Sequence, residues 1–148
     1  MVDITTSYKN ADINGRAVFE EIDRYLPSTL LAGHEPALAP ANTYPAKAST
    51  ALVQFTVVGR EGNAKDGAIV IATATTVQPI GVLAHGFTAG ATGLTPASVF
   101  EIGCFNIGSD SPLVWDASFD TDDKKHAAFR GAPSPTRIVA RHHFAPAS

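Results

Sequence analysis

The chain has 148 residues, of which 45% are hydrophobic and 17% are charged. This length allows one domain to bury a core without disulfides or a structural metal, and the apolar content excludes wholesale disorder. The formal net charge is −3 and the basic residues are scattered, which argues against nucleic acid as a partner. The single cysteine excludes an internal disulfide, and the first residues lack the basic and apolar regions of a signal peptide. We therefore expect a soluble, weakly charged domain made in the cytoplasm.

The first residues alternate β-branched and polar side chains. We define the arm as Val2, Asp3, Ile4, Thr5, Thr6, Ser7 and Tyr8. An isolated strand of this composition has too little apolar surface to pack on itself. The arm is therefore either a strand that a partner completes or a frayed terminus.

Residues 14–26 are predicted to form an amphipathic helix. Asn14 is a suitable N-cap, and Pro27 prevents continuation. The apolar stripe consists of Val18, Phe19, Ile22, Tyr25 and Leu26. Such a stripe packs on the protein's own core or docks onto a partner.

Residues 31–50 contain Pro36, Pro40 and Pro45 among alanines. Proline fixes φ and removes a hydrogen-bond donor, so this composition predicts an extended linker or a strap lying on the surface. We place a boundary here: the arm, helix and strap occupy residues 1–50, and a β-rich domain occupies residues 51–148.

From residue 51 onward the pattern is that of strands. Val53, Phe55 and Val57 alternate with polar residues, which predicts a half-buried strand. Short β-branched runs at residues 69–71 and 80–83, bounded by Gly or Pro, predict buried strands.

The next predicted elements are a loop and a further strand. The loop, residues 84–98, is rich in Gly, Thr and Ala, and it lies within an uncharged stretch from Gly67 to Phe100. In residues 99–107 apolar and polar side chains alternate again. The apolar residues change from one face of the predicted strand to the other near Gly103, which suggests a β-bulge. The Gly, Pro and Thr of the uncharged stretch rule it out as a membrane helix.

The last predicted elements are a short helix and a closing strand. Residues 120–131 begin with acids and continue with lysines, and Gly131 ends the helix. Residues 136–141 form the strand, with Ile138 and Val139 as its apolar members.

No constellation for catalysis or cofactor binding is visible in the sequence. The acidic run of Asp120, Asp122 and Asp123 lacks the Gly and distal Glu of a calcium loop, so helix capping is the favoured interpretation. His142 and His143 are adjacent, and adjacent strand residues face opposite ways. Cys104 lies in an apolar strand and is predicted to be inert packing. We expect no enzyme activity, no cofactor and no small-molecule substrate.

The order of features in the second half resembles a known family. The resemblance rests on Phe100 at the start of a strand, the apolar turn ending in Trp115, Asp123-Lys124-Lys125, Ala128-Phe129, Gly131 and Ile138-Val139. Upstream are Asp66-Gly67 and the Pro79–Ala84 segment. Together they are similar to the head decoration, or capsid cement, protein of lambda-like tailed phages. The resemblance covers residues 51–139.

The resemblance implies a β-clip-like body of short strands and loops with little helix. With the helices that the residue patterns predict, the expected fold is mostly β with one N-terminal helix and one short C-terminal helix. It also implies a homotrimer at local three-fold positions on the outer surface of the virion, whose arm adds β-structure to the major capsid protein. The family-motif core would be Trp115, Phe129, Gly131, Ile138 and Val139, with Trp115 and Phe129 packed together. Lys124 and Lys125 would face solvent or a neighbouring subunit.

Part of the uncharged stretch would be hidden between subunits, and loop 84–98 would lie near the three-fold axis or the capsid. Two other functions stay open from the residues alone. A trimeric β-domain that binds a host glycan or receptor is the principal alternative, and a small hydrolase is the other, because fold does not determine function.

Overall fold

The computed structural model describes residues 27–92, 94–130 and 137–142, and their regular structure is mostly β, as the sequence predicts. The arm, the predicted helix 14–26 and Gly131 lie outside the described residues. The strands are β1 (Asn42–Pro45), β2 (Ala51–Leu52), β3 (Val57–Arg60), β4 (Ile69–Ile71), β5 (Pro79–Leu83), β6 (Phe87–Thr88), β7 (Pro96–Phe100), β8 (Ile102–Asn106) and β9 (Arg137–Arg141). A 3₁₀ turn spans Glu61–Asn63, and α1 spans Asp122–Ala127.

A five-stranded antiparallel sheet forms the centre of the body. Its strand order is β1-β7-β5-β3-β4. Ala46, just after β1, forms a parallel bridge with Ile69 at the start of β4. The Lys47 amide donates to the Ile69 carbonyl at 3.1 Å. The two edges of the sheet therefore meet, and the sheet closes on itself.

The closed sheet is buried on both faces. Val57 and Val82 belong to one hydrophobic cluster, which we call the first cluster, whereas their neighbours Val58 and Leu83 belong to another, the second cluster. Successive residues of a strand point to opposite faces, and all four of these side chains are fully buried. This explains why residues 80–83 form a continuous apolar run rather than alternating.

The strand predicted through Val53, Phe55 and Val57 is wrong. β2 ends at Leu52, and the chain then turns, with the Thr56 hydroxyl donating to the Val53 carbonyl at 2.7 Å. Phe55 has a positive φ of 66°. The turn rotates Phe55 into the first cluster and leaves Val53 60% exposed.

The single bulged strand predicted for residues 99–107 is also wrong. The chain leaves the five-stranded sheet at Glu101, between β7 and β8, two residues before Gly103. β8 pairs in parallel with β9 instead. The shift of the apolar alternation near Gly103 therefore corresponds to a change of sheet, and in the second sheet Phe105 packs in the first cluster.

Part of the proline-containing segment, Asn42–Pro45, belongs to the sheet. It pairs along β7, with Pro45 opposite Pro96 at the end of the ladder, where a missing donor is tolerated. The predicted loop 84–98 likewise contains β6 and the start of β7.

The C-terminal helix is shorter than predicted. α1 begins after Thr121, whose side chain caps it by accepting from the Lys124 amide at 3.3 Å. Asp122 and Asp123 lie in the first turn, where carboxylates oppose the positive end of the helix dipole.

Candidate interaction surface

The family-motif residues within the described part of the chain do not all share one environment. Trp115 and Phe129 contact each other in the first cluster, and Ile138 is buried there too. Val139, which the sequence assigns to this core, is 42% exposed. The assignment of Val139 is therefore wrong, because strand alternation turns it outward when Ile138 points inward.

Two segments without Asp, Glu, Lys or Arg run beside each other at the surface. We call residues 48–54, 84–92 and 94 the uncharged ribbon; its one ionisable side chain is that of His85. β2 and β6 pair within it, Ala51 opposite Thr88. The Ala89 amide donates to the Thr50 carbonyl at 2.8 Å. The sequence shows the absence of charge in each segment, and tertiary structure brings the segments together.

Large apolar side chains project from this ribbon. Leu94 is 86% exposed and Val53 is 60% exposed, while Leu52 and Phe87 are partly buried against the second cluster. The exposure of Val53 differs from the expectation that Val53 faces the core, which rested on its place in an alternating pattern. Leu94 had a recognisable signal: it is the one large aliphatic residue among the Gly, Ala and Thr of residues 84–96.

Hydrogen bonds join the two ribbon segments to each other and to the closed sheet. The Gln54 side-chain amide donates to the Ala84 carbonyl at 2.9 Å. The Ala84 amide donates to the carbonyl of Ser98 in β7 at 2.7 Å. The ribbon therefore presents its exposed apolar side chains from a fixed framework, which reduces the entropy lost when a partner binds.

Ionic contacts lie outside the ribbon segments. Arg60 stacks 4.3 Å from the centroid of the Tyr44 ring. Burial raises the pKa of the Tyr44 hydroxyl, and its hydrogen bond to Glu101 acts in the same direction. Lys47 pairs with Glu61 at 3.0 Å.

Among residues 27–92, 94–130 and 137–142, the remaining ion pairs lie on or beside α1. Lys124 pairs with Asp120 at 2.8 Å, and its hydrogen bond lowers the pKa of the Asp120 carboxyl. Lys125 lies 6.0 Å from the Trp115 ring centroid. Such exposed pairs contribute little to stability.

Two histidines join α1 to the end of β9. The rings of His126 and His142 are 5.6 Å apart, and His142 Nε2 is 3.4 Å from an Asp122 carboxylate oxygen. His126 Nδ1 lies 3.1 Å from the Ala140 carbonyl. In the part of the chain that the structure describes, no group of three or more His, Cys, Asp or Glu side chains is arranged to hold a metal ion.

A groove also lies at the surface. It follows residues 27–34 and is bordered by Leu30, Leu31 and Ala32.

No helix within the described ranges has both the length and the apolar character to cross a membrane.

No protein-family model matches the chain, and no curated protein matches it.

Proposed function

We propose that this protein decorates a phage head. In this proposal a homotrimer with a β-clip-like body binds the major capsid protein at local three-fold positions on the outer surface and stabilises the head. The observation that carries the proposal is the uncharged ribbon, from which Val53 and Leu94 project. The ordered motifs of residues 100–139 support the same function.

The ribbon has the composition of a protein-binding surface. The centre of a protein–protein interface is depleted in charged residues, because desolvating a charge without a partner is costly. An exposed apolar surface supplies binding energy as it leaves water. Loop 84–98, which belongs largely to the ribbon, is the segment expected beside the three-fold axis or the capsid.

The arm supplies the second contact. Its alternating residues would add a strand to an exposed sheet edge of the capsid protein, where backbone hydrogen bonds give affinity with little demand on side-chain identity. In a trimer, binding of one arm raises the effective concentration of the other two. Modest contacts thereby produce tight attachment.

The closed sheet suits a mechanical role. Both of its faces are covered by hydrophobic clusters, so separating its strands exposes apolar surface to water on each side. A body of this kind would bridge neighbouring capsid subunits and resist their separation under the pressure of packaged DNA. No turnover is required for this function.

The test is addition of the purified protein to expanded, undecorated phage heads, followed by electron microscopy. We expect added density at the local three-fold positions. The variant Lys124→Ala, which changes an exposed side chain outside the ribbon, should bind equally well. Absence of head density would overturn the proposal, and density on tail tips of the native particle would favour receptor binding.

A further inference from the structure

The strands β2 and β6 form a two-stranded sheet with two different faces. Within the described part of the chain they pair with each other and with no third strand, Ala51 opposite Thr88 and Leu52 opposite Phe87. Leu52 and Phe87 pack against the second cluster. Ala51 and Thr88 are exposed, because successive residues of a strand point to opposite faces. One face of this sheet therefore belongs to the body, and the other face is open.

Both outer edges of the same sheet carry backbone groups that point outward. In an antiparallel ladder, opposed residues alternate between pairs that exchange hydrogen bonds and pairs that do not. The Ala89 amide donates to the Thr50 carbonyl, so the neighbouring pair of Ala51 and Thr88 is of the second kind. The N–H and C=O of Ala51 point away from β6, and those of Thr88 point away from β2. Such open edges are sites at which a strand of another chain can pair.

We infer that the uncharged ribbon joins the subunits of the homotrimer, with β2 of one subunit paired to the outer edge of β6 of the next. This inference rests on the homotrimer of the proposed function. Ala51 of one subunit then lies opposite Thr88 of its neighbour, and the N–H of each residue donates to the carbonyl of the other. Three such contacts around a three-fold axis close six strands into a small barrel.

The open edges favour a second copy of this chain as the occupant. Every copy offers one β2 edge and one β6 edge, and a head-to-tail arrangement uses both edges with one repeated contact. The side chains are compatible, because Ala51 and Thr88 already lie opposite each other within the subunit. A strand of the capsid protein would cover one edge and leave the other unpaired.

The absence of charge in the ribbon favours the same occupant. Around a rotation axis each side chain approaches copies of itself, so a charged residue would meet like charges, which disfavours association. The open face, with Ala51 and Thr88, would turn toward this axis, and the 60% exposed Val53 follows β2 directly. A barrel of about eight strands is just wide enough for side chains to fill. A barrel of six strands is narrower, and neutral side chains of modest size suit its interior.

The experiment measures the mass of the purified protein by light scattering over a range of concentrations, without heads. We expect three times the subunit mass for wild type. Thr88→Glu places three carboxylates around the axis, so the concentration at which the trimer half-dissociates should rise at least about tenfold. Thr88→Val adds no charge and should assemble like wild type. Thr75→Glu, at an exposed threonine outside the ribbon, is the matched control and should also assemble like wild type.

A second variant tests the strand pairing itself. Ala51→Pro removes the outward N–H of Ala51, which the ladder within the subunit does not use. Proline is tolerated in an edge strand at such a position, so the body should keep the circular dichroism spectrum of wild type while the trimer dissociates. Ala51→Ser keeps the N–H and should assemble.

The other outcomes overturn the inference. They are a wild type with the mass of one subunit at every concentration, trimers that persist in both Thr88→Glu and Ala51→Pro, and equal dissociation by Thr75→Glu. A spectrum altered in both ribbon variants would place these residues in the structure of the body and overturn it too. Loss of head binding by variants that remain trimeric would assign the ribbon to the capsid instead. Failure of intact wild-type trimers to bind heads would overturn the proposed function and leave this subunit contact supported.

Discussion

Phe129 packs against Trp115 with ring centroids 6.4 Å apart, and Trp115 in turn meets Phe119 edge-on at 4.9 Å. Phe129 is only 4% exposed. Three aromatic rings from the segment between β8 and β9 thus close one side of the first hydrophobic cluster. The short helix α1 lies immediately before Phe129 and sets its position.

Replacing Phe129 by Ala should lower the free energy of unfolding by about 3–5 kcal/mol, because the lost ring leaves a cavity among its neighbours. Lys124→Ala in the same segment should cost under about 0.5 kcal/mol, since its ion pair is exposed. Chemical denaturation of both variants measures the contrast. A wild-type midpoint for Phe129→Ala would contradict the core assignment.

Asn106 should be the most sensitive polar residue of the body. It is fully buried and its side chain holds Thr29 and Gly108. Asn106→Ala leaves the half-buried Thr29 carbonyl and Gly108 amide without that partner, so we expect a loss of about 2 kcal/mol. The exposed neighbour Ser109→Ala is the control and should change stability by under about 0.5 kcal/mol. Equal denaturation midpoints would refute the prediction.

The pair of Asp116 and Ser118 makes stability depend on pH. Hydrogen bonds from the Ser118 hydroxyl, at 2.6 Å, and from its amide lower the pKa of the Asp116 carboxyl in the folded state. A lowered folded pKa adds stability above the unfolded pKa, and this contribution disappears as pH falls through the folded value.

Ser118→Ala should therefore cost more stability at pH 6 than at a pH below the folded pKa of Asp116, where this carboxyl is protonated in both proteins. The hydroxyl also accepts from the Ala74 amide at 2.9 Å, and that part of the cost should not change with pH. Urea denaturation at the two pH values gives the difference. The same cost at both would show that the carboxylate is not involved.

Leu94→Asp should weaken association without unfolding the protein. Because the Leu94 side chain is 86% exposed, the substitution should alter stability by under about 0.5 kcal/mol. It introduces a charge into the uncharged ribbon, and we expect binding to heads to fall at least about tenfold. Ala74→Asp, at an exposed position outside the ribbon, is the matched control. Unchanged binding by Leu94→Asp would exclude the ribbon as the contact surface.

Deleting the first ten residues should abolish binding to heads and leave the body folded. The arm has no core of its own, and the described body forms its clusters without it. Light scattering and the denaturation midpoint report assembly and folding, and sedimentation with heads reports binding. Undiminished binding by the truncated protein would mean that the arm is not the capsid contact.

Local patterns were sufficient to predict several elements. Short β-branched runs bounded by Gly or Pro predicted the strands at residues 69–71 and 80–83, and acids followed by lysines predicted the helix that forms as α1. These features depend on backbone propensity and capping, which act over a few residues. The aromatic contact between Trp115 and Phe129 was also predicted, from their position in the resembling motif.

The course of the sheet was decided by tertiary structure. Alternation in Val53, Phe55 and Val57 is compatible with one strand, yet the strand ends at Leu52, the turn that follows has a positive φ at Phe55, and Val53 is exposed. Likewise, the slip predicted near Gly103 follows a change of sheet at Glu101. A hydrophobic pattern reports whether a side chain leaves water, and it does not report which strand or sheet covers it.

For the candidate surface, too, some features follow from the sequence alone and others from the tertiary structure. The sequence by itself determined that residues 48–54 and 84–94 carry no acidic or basic side chain other than His85. Only pairing of β2 with β6 joined them into one ribbon. Composition is a property of the chain, whereas proximity between residues about 40 positions apart is created by burying apolar surface and satisfying backbone hydrogen bonds.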